Sequence, residues 1–356
     1  MMQQLPNSFS YYASDAFMIK LKQALPGFHI PHITTCDFDS MLSLSNAEVL
    51  ARANQDDASK LARFIERKMG ILHRYQAQDD INALDLARQA LTALIKESPT
   101  IAKEADFLIY AGISNPLPVA THSALLGAEF GFENPSCWDI KSGCSSGVLA
   151  LIQAMSWIQM GAQKGVIVAS ETLSKFARPD TLQMSAAVGD GAVALVVEAS
   201  DDWEVKGLVH GSDPQYVTNM LVEGQIPVAN ENYDRENFRY TLKNKGNTFE
   251  VLHEYWIKSL QNLLESSELH GSEIQHYIAH QVDGSKNAAV AKTCHIEAPA
   301  VAKNFTHFGN MGSPTVFINY HQWIKHQHKV VNPAENLIFH AVGGGLSWAG
   351  ICLNKR

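Results

Sequence analysis

Cysteine is scarce and scattered in this chain: five in 356 residues, at Cys36, Cys137, Cys144, Cys294 and Cys352, with no C-x-x-C pair. Such a set suggests neither a disulfide framework nor a zinc site, and no metal is expected. Long hydrophobic runs are missing too. Nothing approaches the ~20 apolar residues that span a bilayer, so no membrane span is expected. The opening "MMQQLPNSFSYYASDAF" lacks the basic start and apolar stretch of a signal peptide, which makes the cytoplasm the expected compartment. Positive charge is also short: 28 Lys and Arg against 36 Asp and Glu leave a net charge of −8. That balance argues against a nucleic-acid binder, whose affinity rests on clustered cations. A local basic patch for an acidic partner stays open.

The chain is instead rich in core-forming residues. Hydrophobic residues make up 46% and charged residues 18%, the balance of a globular protein with a large interior. The length fits two domains or one duplicated unit. The first ~100 residues read as helices and loops, with "NAEVLARANQDDASKLARFIERKMGI" ending at Gly70 and "DINALDLARQALTALIKES" begun by Asp79 and Asp80. Short apolar runs then follow: "DFLIYAGI", "CWDI", "GVIVASE" and "AVALVVE". With helical stretches between the first three, these read as strands buried on both faces of an α/β sheet. The second half repeats the style with the helix "EVLHEYWIKSLQNLLESS" and the strands "HYIAH", "NLIFHAV" and "SWAGICL". Gly189-Asp-Gly precedes one closing strand and Gly343-Gly-Gly precedes the other. Two α/β halves of similar plan, 1–200 and 201–356, are expected to pack as one body.

The stretch "WDIKSGCSSGVLALIQAM" sets Cys144 between a strand and a long helix. A thiol there faces unpaired N–H groups and the positive end of the helix dipole, which favour thiolate. A lowered pKa is therefore expected, with the Cys144 amide aimed at any carbonyl the sulfur attacks. The same residues spell G-x-S-x-G, so Ser145 is a rival nucleophile of the hydrolase-elbow type. No HGGG-type oxyanion loop occurs upstream of it. Cys144 as a small buried apolar residue is the structural alternative.

Far downstream, "YIAHQVDGS" places His280 at a strand end, "THFGNMGSP" places Asn310 in a glycine-rich loop, and "HAVGGGLSWAG" places Gly344 in a turn. Each has a plain reading: a hydrogen-bonded core histidine, a turn residue, a tight bend. In this order after the Cys144 elbow, however, they form a set. The chain resembles the β-ketoacyl-acyl carrier protein synthase III branch of the thiolase superfamily. "RKMGILHRY" is similar to that family's R-T-G-I-x-x-R segment, "DFLIYAGIS" to its central strand and "GDGAVALVVE" to its G-D-G-A strand.

The resemblance implies a thiolase-like duplicated α-β-α-β-α sandwich with two pseudo-symmetric halves. It implies that Cys144 is acylated from an acyl thioester. A malonyl thioester then loses CO₂, and the resulting carbanion attacks the acyl-cysteine. By position in the motifs, the N–H groups of Cys144 and Gly344 hold the oxyanion, while His280 and Asn310 donate to the enolate oxygen. No cofactor beyond coenzyme A or carrier-protein thioesters is implied, and a homodimer is expected. Substrate-pocket or docking candidates are Phe64, Lys68, Val119, Lys286, Phe308 and Val342. Phe308 and Met311 flank Asn310, where plain packing is the alternative.

Some positions depart from the family. Phe64 stands where a tryptophan commonly clamps the adenine of coenzyme A, and Leu182 stands near the place of the arginine that faces it. Loss of that clamp favours a carrier-protein donor. Where the family often has N-L-R after its H-Q motif, "VDGSK" makes Lys286 the nearest cation. "NPLPVATHS" has no carboxylate where a non-decarboxylating branch carries its base; Val119 falls there. Besides that branch, the alternatives are acyl transfer to an alcohol or amine, a serine hydrolase using Ser145, and a silent partner subunit of a ketosynthase. "HQWIKHQHK" reads as a solvated helix end, and Asp190 and Glu171 as supports of the site loops.

Overall fold

Runs of apolar residues too short for a helix become strands here, and the 3.6-periodic stretches become the helices that cover them. The computed structural model describes residues 25, 27–52, 58–178, 182–224, 234–242, 245–303, 305–326 and 328–356. The chain opens with β1 (Phe28–His29), β2 (Ile33–Thr35), β3 (Leu42–Ser45), α1 (Asn46–Arg52), α2 (Ala58–Met69), β4 (His73–Gln76) and α3 (Ala83–Glu97). Reading this region as helices and loops alone misses its four strands. Two to four residues are too few for an alternation to register. The start of α3 also lies beyond Asp79 and Asp80. Asn82 caps it, with Oδ1 accepting the N–H of Leu84 at 2.8 Å, while the Asp85 carboxylate accepts the N–H of Asn82 at 3.0 Å. This is a capping box.

There follow α4 (Ile101–Glu104), β5 (Phe107–Ala111), α5 (His122–Glu129), β6 (Ser136–Ile140), α6 (Ser146–Gln159), β7 (Lys164–Thr172), α7 (Leu182–Ala187), β8 (Asp190–Ala199) and β9 (Trp203–Ser212). The remainder comprises β10 (Met220–Val222), β11 (Tyr240–Leu242), α8 (Lys245–Ser266), β12 (His276–Ala279), α9 (Gly284–Thr293), α10 (Phe305–Phe308), α11 (Thr315–His321), β13 (Asn336–Gly343) and β14 (Ser347–Lys355).

Strands run in the order β12-β13-β14-β9-β1-β8-β7-β5-β6, with β2 also on β8. Two limbs of the same design meet at β1, which pairs antiparallel with both β8 and β9. In one limb β5 lies parallel to β6 and β7, and β7 turns back antiparallel into β8. In the other β12 lies parallel to β13, and β13 turns back antiparallel into β14. The counterpart of β6 shrinks to one parallel bridge between Tyr277 and Val301. Each limb sends a buried helix, α6 or α11, into the last parallel strand of the repeat. The mixed α/β architecture is the thiolase-like sandwich.

α6 is apolar almost all round, as a helix enclosed on every side must be. Val148, Leu151 and Met155 of α6 share one core with Val316, Phe317 and Ile318 of α11. The two helices meet at Gly147, where a β-carbon would lie 3.5 Å from Phe317 Cε2 of α11 and 2.4 Å from the Ser313 carbonyl oxygen in the loop before it. This contact seats the start of α6, and so the cysteine loop, against the loop that carries Asn310. Among the described residues no helix is long and apolar enough to cross a membrane. Gly147→Val is expected to lower unfolding stability by about 2–3 kcal/mol through overpacking, read as a shifted urea midpoint. An unchanged midpoint would mean the two helices do not meet there.

Candidate active site

Between β6 and α6 the chain folds into a loop of serines tied to one another. Ser146 Oγ accepts the Ser142 N–H at 2.8 Å and donates to the Gly143 carbonyl at 2.7 Å. Ser145 Oγ lies 2.7 Å from the Ser142 carbonyl and 2.9 Å from Ser347 Oγ. No histidine is among the partners of Ser145, which is fully buried. The elbow reading therefore lacks its general base.

The Cys144 sulfur is not among the hydrogen-bonding groups of this knot, and the residue is partly buried. Gly143 takes a left-handed φ of 56°, a conformation that favours glycine. A β-carbon on it would sit 2.6 Å from the Gly344 carbonyl oxygen, and one on Gly343 would sit 2.4 Å from the Cys144 nitrogen. The cysteine loop and the turn after β13 thus meet backbone against backbone. The amides of Gly344 and of Cys144 both act on the thiol in the direction of the thiolate, and they are the two donors expected for an oxyanion.

The thiol's acidity runs against the sequence-based expectation. Burial, and after it the nearby Glu171 carboxylate, push Cys144 up to about 12, although the Gly344 and Cys144 amides pull the other way. Desolvation of the anion outweighs the helix terminus. Glu171 is itself buried and raised by burial. It accepts the N–H groups of Ile113 at 3.0 Å and Ser114 at 2.9 Å, the Ser114 hydroxyl, and the Ser313 hydroxyl at 2.7 Å. Those bonds lash two loops to the end of β7. Asp190 does similar work beside it, accepting the N–H groups of Ala77 and Ser174 and the Ser174 hydroxyl.

His280 follows β12 directly, with its N–H donating to the His340 carbonyl of β13 at 2.8 Å. Because β12 and β13 are parallel, His280 lies at the same sheet end as the Gly343–Gly344 turn. The ring is buried, yet neither of its nitrogens has a partner among the described residues. Burial pulls its pKa down to about 3, so the imidazole is neutral at pH 7. Asn310 pairs with Val188 in a parallel bridge, between Gly309 at φ 66° and Gly312 at φ 68°. Its Oδ1 accepts the Gly312 N–H at 2.9 Å. The donor end of the amide has no protein partner among the described residues. A β-carbon on Gly312 would lie 3.1 Å from Glu171 Cγ, which puts the Asn310 loop on the carboxylate that acts on Cys144.

Phe64 is 51% exposed on α2, and Val119 is 95% exposed in the loop before α5. Lys68 is exposed on α2. Lys286 stands over the Phe249 ring at 5.0 Å. Phe308 packs edge-on to Phe38 at 5.0 Å and against Tyr75 at 5.4 Å. Val342 is buried opposite Trp348, and Met311 is wholly buried in the core. Leu182 opens α7. Sequence reasoning missed Tyr240 of β11, whose phenol is held protonated by burial and by the nearby Glu171 and Cys144. It also missed Met220 of β10, whose Sδ comes within 2.3 Å of where a β-carbon on Gly344 would be. Both lie on strands of three residues, which leave no pattern. Among the described residues no group of three or more His, Cys, Asp or Glu side chains is placed to hold a metal.

Several known proteins are similar to the chain, OleA of Xanthomonas campestris among them (TM-score 0.76, 18% identity, 92% and 98% of the two chains). Residues 138–214 match the family profile described as 3-oxoacyl-[acyl-carrier-protein] synthase III, and residues 264–355 match its C-terminal profile. The chain is 25% identical over 289 residues to the β-ketoacyl-[acyl-carrier-protein] synthase III of Streptococcus gordonii, covering 80% of this chain and 88% of that one. Its fold is similar to the crystal structure of 3-oxoacyl-[acyl-carrier-protein] synthase III from Aquifex aeolicus (TM-score 0.79, 22% identity, 92% and 100% of the two chains). It is similar as well to the priming β-ketosynthase of the R1128 polyketide pathway (TM-score 0.81, 18% identity, 93% and 97%).

A thiol raised to about 12 predicts that alkylation of Cys144 by iodoacetamide, followed on its own peptide, rises ~10-fold per pH unit from pH 7 to 10 without levelling, since only thiolate reacts. A plateau above pH 8 would mean a lowered pKa.

Proposed function

The chain belongs to the β-ketoacyl-acyl carrier protein synthase III family of the thiolase superfamily, and from that membership we propose a decarboxylating condensing enzyme of fatty-acid or specialised-metabolite synthesis. Cys144 attacks the carbonyl of an acyl thioester, the oxyanion rests on the amides of Cys144 and Gly344, and the donor leaves as a thiol carrying the proton of Cys144. A malonyl thioester enters next. Its C–C bond to the carboxylate breaks, CO₂ departs, and the enolate oxygen takes hydrogen bonds from His280 and the Asn310 amide. The α-carbon then attacks the acyl-cysteine carbonyl, giving a 3-oxoacyl thioester and returning the thiolate.

The observation that carries this reading is the bare imidazole. Leaving two buried ring nitrogens without partners costs ~1–3 kcal/mol each, a cost that a substrate oxygen and its neighbours relieve. Neutral donors also suit an enolate better than a carboxylate would.

The same reading divides the chain into halves at 1–200, with the nucleophile, and 201–356, with His280 and Asn310. The repeated strand–helix order supports it. Two copies would pair through β6, the edge strand of the sheet, which carries the half-exposed Trp138, with Leu117 and Val119 exposed nearby. An acyl carrier protein is the fitting donor for a surface with Lys68 and Lys286 beside Phe64. Five free cysteines suit a reducing cytoplasm.

His280→Ala and Asn310→Ala are each expected to keep acylation of Cys144 while CO₂ release from malonyl thioester falls ~10²–10³-fold, the usual effect of deleting one oxyanion donor. Product mass separates the rivals. A 3-oxoacyl thioester supports the proposal, whereas a product retaining the extra carboxylate, or an ester or amide, would replace it.

A further inference from the structure

We propose that Arg74 is the positioning residue for Asn310. It lies on β4 with its side chain wholly buried. Nη2 donates to Asn46 Oδ1 at 2.6 Å and to the carbonyl of Ala186, and Nη1 donates to the Leu44 carbonyl at 3.4 Å. No carboxylate is among its partners, and Nε has no partner at all among the described residues. Burial pulls the guanidinium down to about 10, so it stays charged at neutral pH. A buried cation without a counter-ion is costly to keep. Its geometry explains what it does.

The three acceptors come from three elements: Leu44 from β3, Asn46 from α1 and Ala186 from α7. Asn46 is itself fixed, its Nδ2 donating to the Ile71 carbonyl at 2.7 Å. Ala186 sits one residue before the strap on which Asn310 is registered. The Asn310 N–H donates to the Ala187 carbonyl at 2.8 Å, and the Gly189 N–H donates to the Asn310 carbonyl at 2.9 Å. Arg74 Cβ would lie 3.5 Å from a β-carbon on Gly189 and 3.5 Å from one on Gly309. Its stem therefore supports both sides of the pairing, and its head anchors one of them. The remaining reacting groups have supports of their own that do not include Arg74, Cys144 in the Gly343–Gly344 turn and His280 in β13. Arg74 thus acts on the condensation half of the reaction and leaves loading of Cys144 alone, a division that rests on the condensing role argued above.

The test uses Arg74→Met and Arg74→Lys in the full-length protein, with amide hydrogen exchange and kinetics read separately. Exchange of the Gly189 and Asn310 N–H groups should quicken ~10-fold or more in Arg74→Met, while the His280 N–H keeps its wild-type rate. Loading of Cys144 should stay within about 3-fold of wild type while CO₂ release drops ~100-fold. Adding Arg74→Met to Asn310→Ala should cost nothing further, because one acts through the other. Arg74→Lys, which keeps the charge but reaches fewer acceptors, should fall between. It also gives the exchange reading if the methionine variant does not fold. Uniform quickening of all these amides, an unchanged Asn310 amide, or parallel loss of loading and condensation would each overturn the proposal. A wild-type protein that releases no CO₂ would sink the condensing role instead, and the exchange result would still decide on Arg74.

Discussion

At the cysteine the two limbs of the sheet come together with no room for a side chain on either partner. Gly143 and Gly343 face one another's chains at distances that exclude a β-carbon, so peptide groups from residues remote in sequence share one small space. That approach brings the Gly344 backbone against the cysteine loop, where its amide, like that of Cys144, favours the thiolate. It also fixes the serine knot, since Ser347 Oγ, from the start of β14, donates to the Ser142 carbonyl at 2.8 Å. Losing the contact would separate the Cys144 sulfur from the Gly344 amide and loosen the seam between the limbs.

The electrostatics around this contact keep the resting site free of positive charge. His280 is held neutral by burial, and His340 behind it by burial and by His280. The proton of His340 can be placed by tracing donors. The Ser259 hydroxyl donates to the Trp256 carbonyl, so His340 Nε2–H donates to Ser259 Oγ and His340 Nδ1 accepts from the Tyr277 hydroxyl. A buried site with the Glu171 carboxylate nearby disfavours the free thiolate, which fits the high pKa of Cys144. It equally favours any arrangement in which new negative charge lands on aimed N–H groups, because amides in a dry site interact strongly with charge and need no reorganisation. The site is therefore inert until a substrate carbonyl gives the charge somewhere to go.

Much of this was legible in the sequence because it is written in local chemistry. The long central strands are apolar runs. Gly309 and Gly312 mark the positive φ values that frame Asn310, and a thiol at a strand–helix junction is unusual enough to notice. What escaped is tertiary in origin. The four early strands and the β10–β11 pair are held by neighbours and carry no periodic signal of their own. The sign of the Cys144 shift depends first on burial and then on Glu171, a strand-end residue, and both appear only in the folded chain. Arg74 is an ordinary arginine in "RKMGILHRY" until folding buries it without a carboxylate. Tyr240 and Met220 reach the site from a region with no pattern to read.

The central claim is that the Cys144 sulfur, and not the adjacent Ser145 hydroxyl, receives the acyl group. Intact-mass spectrometry after mixing the protein with a panel of acyl-coenzyme A and acyl-carrier-protein donors tests it most directly. The account predicts a mass gain of one acyl group in the wild-type protein and in Ser145→Ala, and none in Cys144→Ala. A gain that survives in Cys144→Ala and disappears in Ser145→Ala would contradict it.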